Sequence, residues 1–200
     1  MDDLLALKRG VVAAARACYA RGMQTGDGGN LSARVSGKDL MLIKGSGTSF
    51  ADCSENTLAL TDFDGNLVAG ERKPSRECLL HGALYKRLSR VQAIVHCHSP
   101  WAAGWASTSK PLPFSTYHSG IKLKGAVQVF DTGSYVVPSS FFPKILAPFD
   151  SNPELMAFLL KGHGQVALGK GIKQALYMAE LVEETAQIAV IDRLLRSCLA

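Results

Sequence analysis

The 200-residue chain has no CxxC pair, and its five cysteines (Cys18, Cys53, Cys78, Cys97 and Cys198) form an odd, scattered set. That excludes a disulfide framework and a cysteine-rich zinc module, and predicts reduced thiols. The first residues do not read as a secretory leader, so a cytoplasmic location is expected. No apolar run approaches the roughly 20 residues that cross a bilayer, so no membrane span is expected. There is no block of lysine and arginine either. A net charge of +5 and a pI near 9.0 are spread along the chain. This favours anionic small molecules as partners and gives no reason to expect nucleic-acid binding. The densest basic stretch, "YKRLSR" at 85–90, reads as a helix end, where cations oppose the helix dipole. Repeats, low-complexity tracts and linkers are missing too, so residues 1–200 are expected to form one domain.

What is present is an ordinary globular composition, 47% hydrophobic and 20% charged. An amphipathic helix is expected from Asp3 to about Arg21, stopped by Gly22. "LSARV" and "DLMLIK" read as strands beside glycine loops. "LALTDFDGNLVAG" reads as a hairpin with its turn at Asp64-Gly65 or Gly65-Asn66. "KPSRECLLHGALYKRL" opens a helix, with Pro74 at the entry and Ser75 as candidate cap; Leu80, Ala83, Leu84 and Leu88 line one face. A helix is expected around "PWAAGWAST", with Trp101 and Trp105 in a core or interface. Segment 110–150 is expected to be strand-like, clearest at "AVQVFD" and "SYVVPS". "PELMAFLL" suggests a short helix or a strand approach, and "GHGQVALGKG" a turn, strand and turn. The last 29 residues read as a long helix, with Glu180, Glu183 and Glu184 solvated or paired. Alternation of strands and helices points to an α/β fold.

The chemistry starts at "VQAIVHCHSP". Residues two apart on a strand share a face, so His96 and His98 would present two imidazoles side by side. Cys97 would face the other way. A catalytic zinc site needs a third ligand and an open position. His163, between glycines in "KGHGQ", is the better third donor, with His118 behind it; His81 lies inside a helix.

The order of "GDGGNLSARV", "IKGSGTSF", "KPSRECLLHGALY", "AIVHCHSPWA" and "LLKGHGQVALGKGIKQALYMAELVEETAQIA" resembles the class II aldolase/adducin family over nearly the whole chain. The resemblance implies a three-layer α/β/α domain around a central, mostly antiparallel sheet. It implies one zinc per subunit held by His96, His98 and His163, with another divalent transition metal able to stand in. Glu77 of "KPSRE" would act as acid/base near the metal. A homotetramer with active sites at subunit interfaces is also implied. Breaking a C–C bond beside a ketone leaves an enediolate, whose charge a Lewis-acidic metal stabilises. Neutral imidazoles leave that metal its full positive charge.

The resemblance further implies that three short loops hold a substrate phosphate. Gly29 and Asn30 of "GGNLS" match the first loop, Lys44 and Gly45 of "KGSG" the second, and Ser75 with Arg76 the third. The second loop usually begins Thr-Pro, and a second serine usually stands where Arg76 is. Lysine and arginine both bind anions, and arginine's planar fork also suits a carboxylate. The departure keeps an anion while changing how it is held. Tyr117 in "STYHSG" falls near a tyrosine that moves a proton at the aldehyde fragment in the aldolases, with His118 next to it. Aldolase-like chains often carry a further tyrosine beyond the last helix; "LLRSCLA" contains none.

The expected reaction is retro-aldol cleavage of a small phosphorylated or acidic sugar-like ketose. The alternatives are epimerisation, dehydration or decarboxylation on the same site, or a non-catalytic adducin-like interaction module. A full set of three histidines with Glu77 speaks against the module and leans toward the lyase.

Overall fold

The computed structural model describes residues 2–199. In chain order the elements are helix α1 (Asp2–Ala20), strands β1 (Asn30–Arg34), β2 (Leu40–Lys44), β3 (Leu58–Asp62) and β4 (Leu67–Ala69), then helix α2 (Cys78–Arg87). Strand β5 (Ala93–Cys97), helices α3 (Pro100–Ala106) and α4 (Tyr117–Leu123), and strand β6 (Gln128–Phe130) follow. Two short helices, α5 (Phe142–Leu146) and α6 (Pro148–Ser151), lead into β7 (Ala157–Leu160), β8 (Gly164–Gly169) and the long helix α7 (Ile172–Leu199).

The eight strands form one sheet in the order β4-β3-β2-β1-β5-β8-β7-β6. Every neighbouring pair is antiparallel except β6 and β7, so the sheet is mostly antiparallel, as expected. Alternation divides its side chains between two apolar layers. Leu31, Ala93, Val95 and Cys97 pack with α1, α3 and α7. Met41, Ile43, Ile94 and Val166 pack with α2, α5 and α6. This is the three-layer arrangement, and it sends Cys97 to the face opposite His96. Among the described residues no helix is long and apolar enough to cross a membrane.

Local chemistry explains the boundaries. Gly22 ends α1 with φ +68°. The Met23 amide donates to the Cys18 carbonyl at 3.0 Å and the Gly22 amide to Tyr19 at 2.9 Å, the paired bonds of a glycine C-cap. Helix α7 contains neither Gly nor Pro, so nothing breaks it.

Two expectations need correction. "SYVVPS" is not a strand: residues 133–136 are a bend, and segment 110–150 carries three short α-helices and a 3-10 turn around one strand, β6. Pro143 and Pro148 stand in the first turns of α5 and α6, where a missing amide costs nothing. Ser75 does not cap α2; the cap position is Glu77, and the Ser75 carbonyl accepts from the Cys78 amide at 3.0 Å. The acidic stretch of α7 is solvated at Glu184 and paired elsewhere, as expected, with one partner that the sequence does not name. The Glu183 carboxylate accepts from the Trp101 and Ala102 amides at 2.9 and 2.8 Å, satisfying the free N-terminus of α3. Glu180 pairs with Arg21. Trp105 is buried under Arg193, whereas Trp101 is exposed.

Candidate active site

One end of the sheet gathers the chemistry. There β1 and β8 begin while β2, β5, β6 and β7 end, so loops from six strands meet. His96 lies in β5 opposite Asn30 of β1, and His98 follows just past the strand end. His163 sits in the β7–β8 turn, its amide donating to the Leu160 carbonyl at 3.1 Å. The next residue, Gly164, lies so close to the Cys97 carbonyl that any Cβ would collide with it. That close approach brings the third imidazole beside the first two.

The three Nε2 atoms converge: His96 to His163 at 3.2 Å and His98 to His96 at 3.3 Å. His96 Nδ1 lies 2.8 Å from the Gln165 carbonyl. A carbonyl only accepts, so Nδ1 carries the proton and Nε2 presents a lone pair. Gln165 is itself fixed, its amide donating to Ser99 Oγ at 2.6 Å and to the Ala179 carbonyl at 3.0 Å. Burial, with His98 nearby, pushes the His96 pKa down to about 3, and burial pushes His163 down to about 4. His98 is lowered too, chiefly by burial. The trio is therefore neutral near pH 7, the form that binds metal.

Glu77 completes the cluster from the start of α2. Its Oε2 lies 3.1 Å from His96 Nε2 and accepts from Asn30 Nδ2 at 3.2 Å. Among the described residues its Oε1, 3.9 Å from His163 Nδ1, has no hydrogen-bond partner, and neither has His163 Nδ1. Buried polar atoms are rarely left so. Neutral imidazole lone pairs facing each other at this range repel unless a cation sits among them. The donor set therefore fits a divalent transition metal held by His96, His98 and His163, with Glu77 within reach.

The family described as Class II Aldolase and Adducin N-terminal domain matches residues 9–190. The chain belongs to the class II aldolase and adducin family. A 3-oxo-tetronate 4-phosphate decarboxylase from Haemophilus influenzae is 35% identical over 94% of this chain and 88% of its own. A 5-methylthioribulose-1-phosphate/5-deoxyribulose-1-phosphate aldolase from Rhodospirillum rubrum is 32% identical over 92% of this chain and 80% of its own. The solved structure of an L-fuculose 1-phosphate aldolase superposes with a TM-score of 0.84 at 28% identity, covering 94% of this chain and 86% of that one.

Beside the histidines this class II aldolase-family chain has a cavity of about 260 Å³. Gly29, Asn30, Lys44, Ser75, Arg76 and Glu77 line it together with the three histidines. Lys44 is only 2% exposed. Its Nζ donates to the Asp27 carbonyl at 3.1 Å and the Thr48 carbonyl at 2.5 Å, so one of its three donors remains free. Burial lowers its pKa, while Cys53 and Asp27 oppose that shift. The loops are tied together: the Ser75 amide donates to the Lys44 carbonyl at 3.2 Å and the Ser46 amide to Lys73 at 2.8 Å.

Gly45 does not reach the cavity. Its amide donates to the Thr57 carbonyl at 2.8 Å, and Ser46 and Gly47 line the wall instead. Tyr117 is 96% exposed on α4, outside the lining of this cavity. His118 lines a different cavity, between α4 and α7, and so is no rival to His163. Sequence reasoning missed Gln24, Asp27, Tyr135 and Val136. Gln24 is buried and accepts the His98 amide at 2.8 Å. Gly29, at φ +62°, leaves room for its amide. Tyr135 lies on the β6–α5 connection with the Arg76 guanidinium 4.8 Å above its ring.

Proposed function

We propose that this protein is a metal-dependent aldehyde-lyase that cleaves a C–C bond in a small phosphorylated or acidic ketose-like substrate. One observation carries the reading: three neutral imidazoles converge at 3.2–3.3 Å with a buried carboxylate 3.1 Å away, at the base of an anion-suited cavity. The metal is taken as zinc, whose preference for imidazole ligands and an open position suits this donor set. When bound, it supplies Lewis acidity toward the carbonyl being cleaved or formed.

The chain's own residues do the rest. Asn30 Nδ2 aims the Glu77 carboxylate, whose free Oε1 is placed to take or return a proton on substrate. The third donor of Lys44, and the Ser75 loop, face an anionic group. The cavity volume falls below that of drug-sized pockets and suits a chain of a few carbons. Tyr117 cannot serve its own chain's cavity from α4, so a proton-transfer role would place it in a neighbour's. Its exposure next to exposed Phe114 and Ile121 supports a subunit contact there, in keeping with a homotetramer in the cytoplasm.

The test is elemental analysis with an activity panel of ketose phosphates, run with and without chelator. About one metal per chain and chelator-sensitive aldehyde release are expected. Glu77→Gln should keep the metal and lose turnover about 100-fold or more, the scale of general acid–base catalysis. Parental turnover in Glu77→Gln would refute the acid/base assignment. A second reading, decarboxylation, is favoured by the Haemophilus influenzae relative. Release of CO₂ in place of an aldehyde would select it, because the same site can stabilise either carbanion.

A further inference from the structure

Arg76 stands where the phosphate loops lead to expect a serine, and its side chain is exposed at the cavity wall. Among the described residues it has no ion pair and no hydrogen bond; its one partner is the Tyr135 ring, 4.8 Å from the guanidinium carbon. Stacking on a ring engages the guanidinium face and leaves its in-plane N–H fork free.

The position of that fork matters. Lys44 ends β2, two strands to one side of the histidine strand β5. Tyr135 follows β6, three strands to the other side. Arg76 leaves the chain on the Lys44 flank, next to Ser75, whose amide bonds the Lys44 carbonyl at 3.2 Å. Its head group meets Tyr135, which a loop carries in from the far side of the sheet. The cavity lining thus holds two chemically different cations, Lys44 and Arg76, together with the three imidazoles. The Lys44 wall supplies a compact ammonium and loop amides, suited to a tetrahedral phosphate. The Arg76 wall supplies a planar fork, suited to a planar carboxylate.

We propose that Arg76, steadied by Tyr135, is a specificity-determining residue for a second anionic group, so that the substrate is a short sugar acid that carries a carboxylate as well as a phosphate. This rests on the reading above that the cavity is a metal-dependent sugar-phosphate site. It holds whichever C–C bond breaks.

The test uses two inert ligands of equal chain length, 4-phosphoerythronate and erythritol 4-phosphate. The first has a carboxylate where the second has a hydroxymethyl group. Binding to the metal-loaded protein is measured by calorimetry for the parent, Arg76→Ala and Arg76→Lys, with metal content checked in each. In the parent, 4-phosphoerythronate should bind the tighter. Arg76→Ala should weaken it about 10- to 100-fold, as expected for charge-assisted hydrogen bonds, and change erythritol 4-phosphate by less than about 3-fold. Arg76→Lys should restore only part, because the charge returns without the fork. Equal losses with both ligands would make Arg76 a phosphate contact and overturn the proposal. So would no loss, or a parent that binds neither ligand. Because binding is read without turnover, the two readings fail separately. Arg76-dependent binding without cleavage of any substrate would sink the lyase reading alone. Cleavage of ketose phosphates with a silent Arg76→Ala would sink this one alone.

Discussion

The two flanks of the histidine strand are built differently. On the β1–β2 side, Asn30, Lys44, Ser75 and Glu77 are buried and joined by backbone and side-chain hydrogen bonds. On the β6 side, Tyr135 is 63% exposed on a bend, and its ring meets one exposed arginine, Arg76. The first flank is fixed before a ligand arrives, which suits groups that must hold a reacting centre in place. The second presents exposed side chains, which suits recognition of whatever varies between substrates. The contrast predicts that substitutions on the fixed flank change stability and chemistry together, whereas those on the open flank change ligand choice alone.

The largest effect should come at the centre. His163→Ala removes one of three converging imidazoles and should abolish stoichiometric metal. Activity should fall by more than the roughly 10- to 100-fold cost of losing an outer-shell partner. Elemental analysis after dialysis decides it; one metal per chain in the variant would sink the ligand set.

Next comes the buried layer beneath the fixed flank. Ser32 Oγ bridges His81 Nδ1 and the Tyr85 hydroxyl, both at 2.7 Å, one turn below Glu77. Complete burial lowers the His81 pKa from 6.5 to about 3. The unfolded chain therefore takes up a proton near pH 6.5 that the folded chain refuses until about pH 3. The stability from neutral His81 is full above pH 6.5 and is lost as pH falls toward 3. Each pH unit in that window costs about 1.4 kcal/mol, several kcal/mol in all. Denaturant midpoints measured in chelator from pH 7 to pH 4 should fall steeply in the parent and less steeply in His81→Gln. Equal slopes would show that His81 takes no part in the acid limb.

How much of this was legible follows the same division. The fixed flank is written in short local patterns. "GGNLS", "KPSRE" and "HCH" each place their chemistry within a few residues, and strand alternation alone sends His96 and His98 to one side and Cys97 to the other. The open flank is written in segment 110–150, whose helices α4, α5 and α6 run only 7, 5 and 4 residues. Helices that short complete too few turns to show a period, and their β-branched and aromatic residues imitate strands. Tyr135 reaches the cavity only because a loop returns past a sheet end, a contact 59 positions from Arg76 that no local pattern records. Gln24 and Glu183 escaped for the same reason. Each side chain satisfies backbone amides of a distant segment, at 98 and at 101–102 respectively. Gly45 falls outside the cavity for a different reason: it follows the end of β2, and its amide is engaged by the Thr57 carbonyl in the turn before β3.

The smallest effects separate the flanks most cleanly. Lys44→Met keeps the length of the side chain but strips donors from two carbonyls, Asp27 and Thr48. It should cost about 2 kcal/mol. That corresponds to a fall in Tm of about 4–8 °C for a chain of this size. Tyr135→Leu removes only an exposed ring, and its stability should stay within about 0.5 kcal/mol of the parent. Its cost should appear in binding instead, as a loss of about 2- to 5-fold for a ligand bearing a carboxylate, the worth of an exposed cation–π contact that steadies Arg76. Thermal melts and calorimetry on the two variants test the division directly. If Tyr135→Leu lowered Tm as far as Lys44→Met, the open flank would be part of the scaffold, and the distinction between a fixed wall and an open one would not hold.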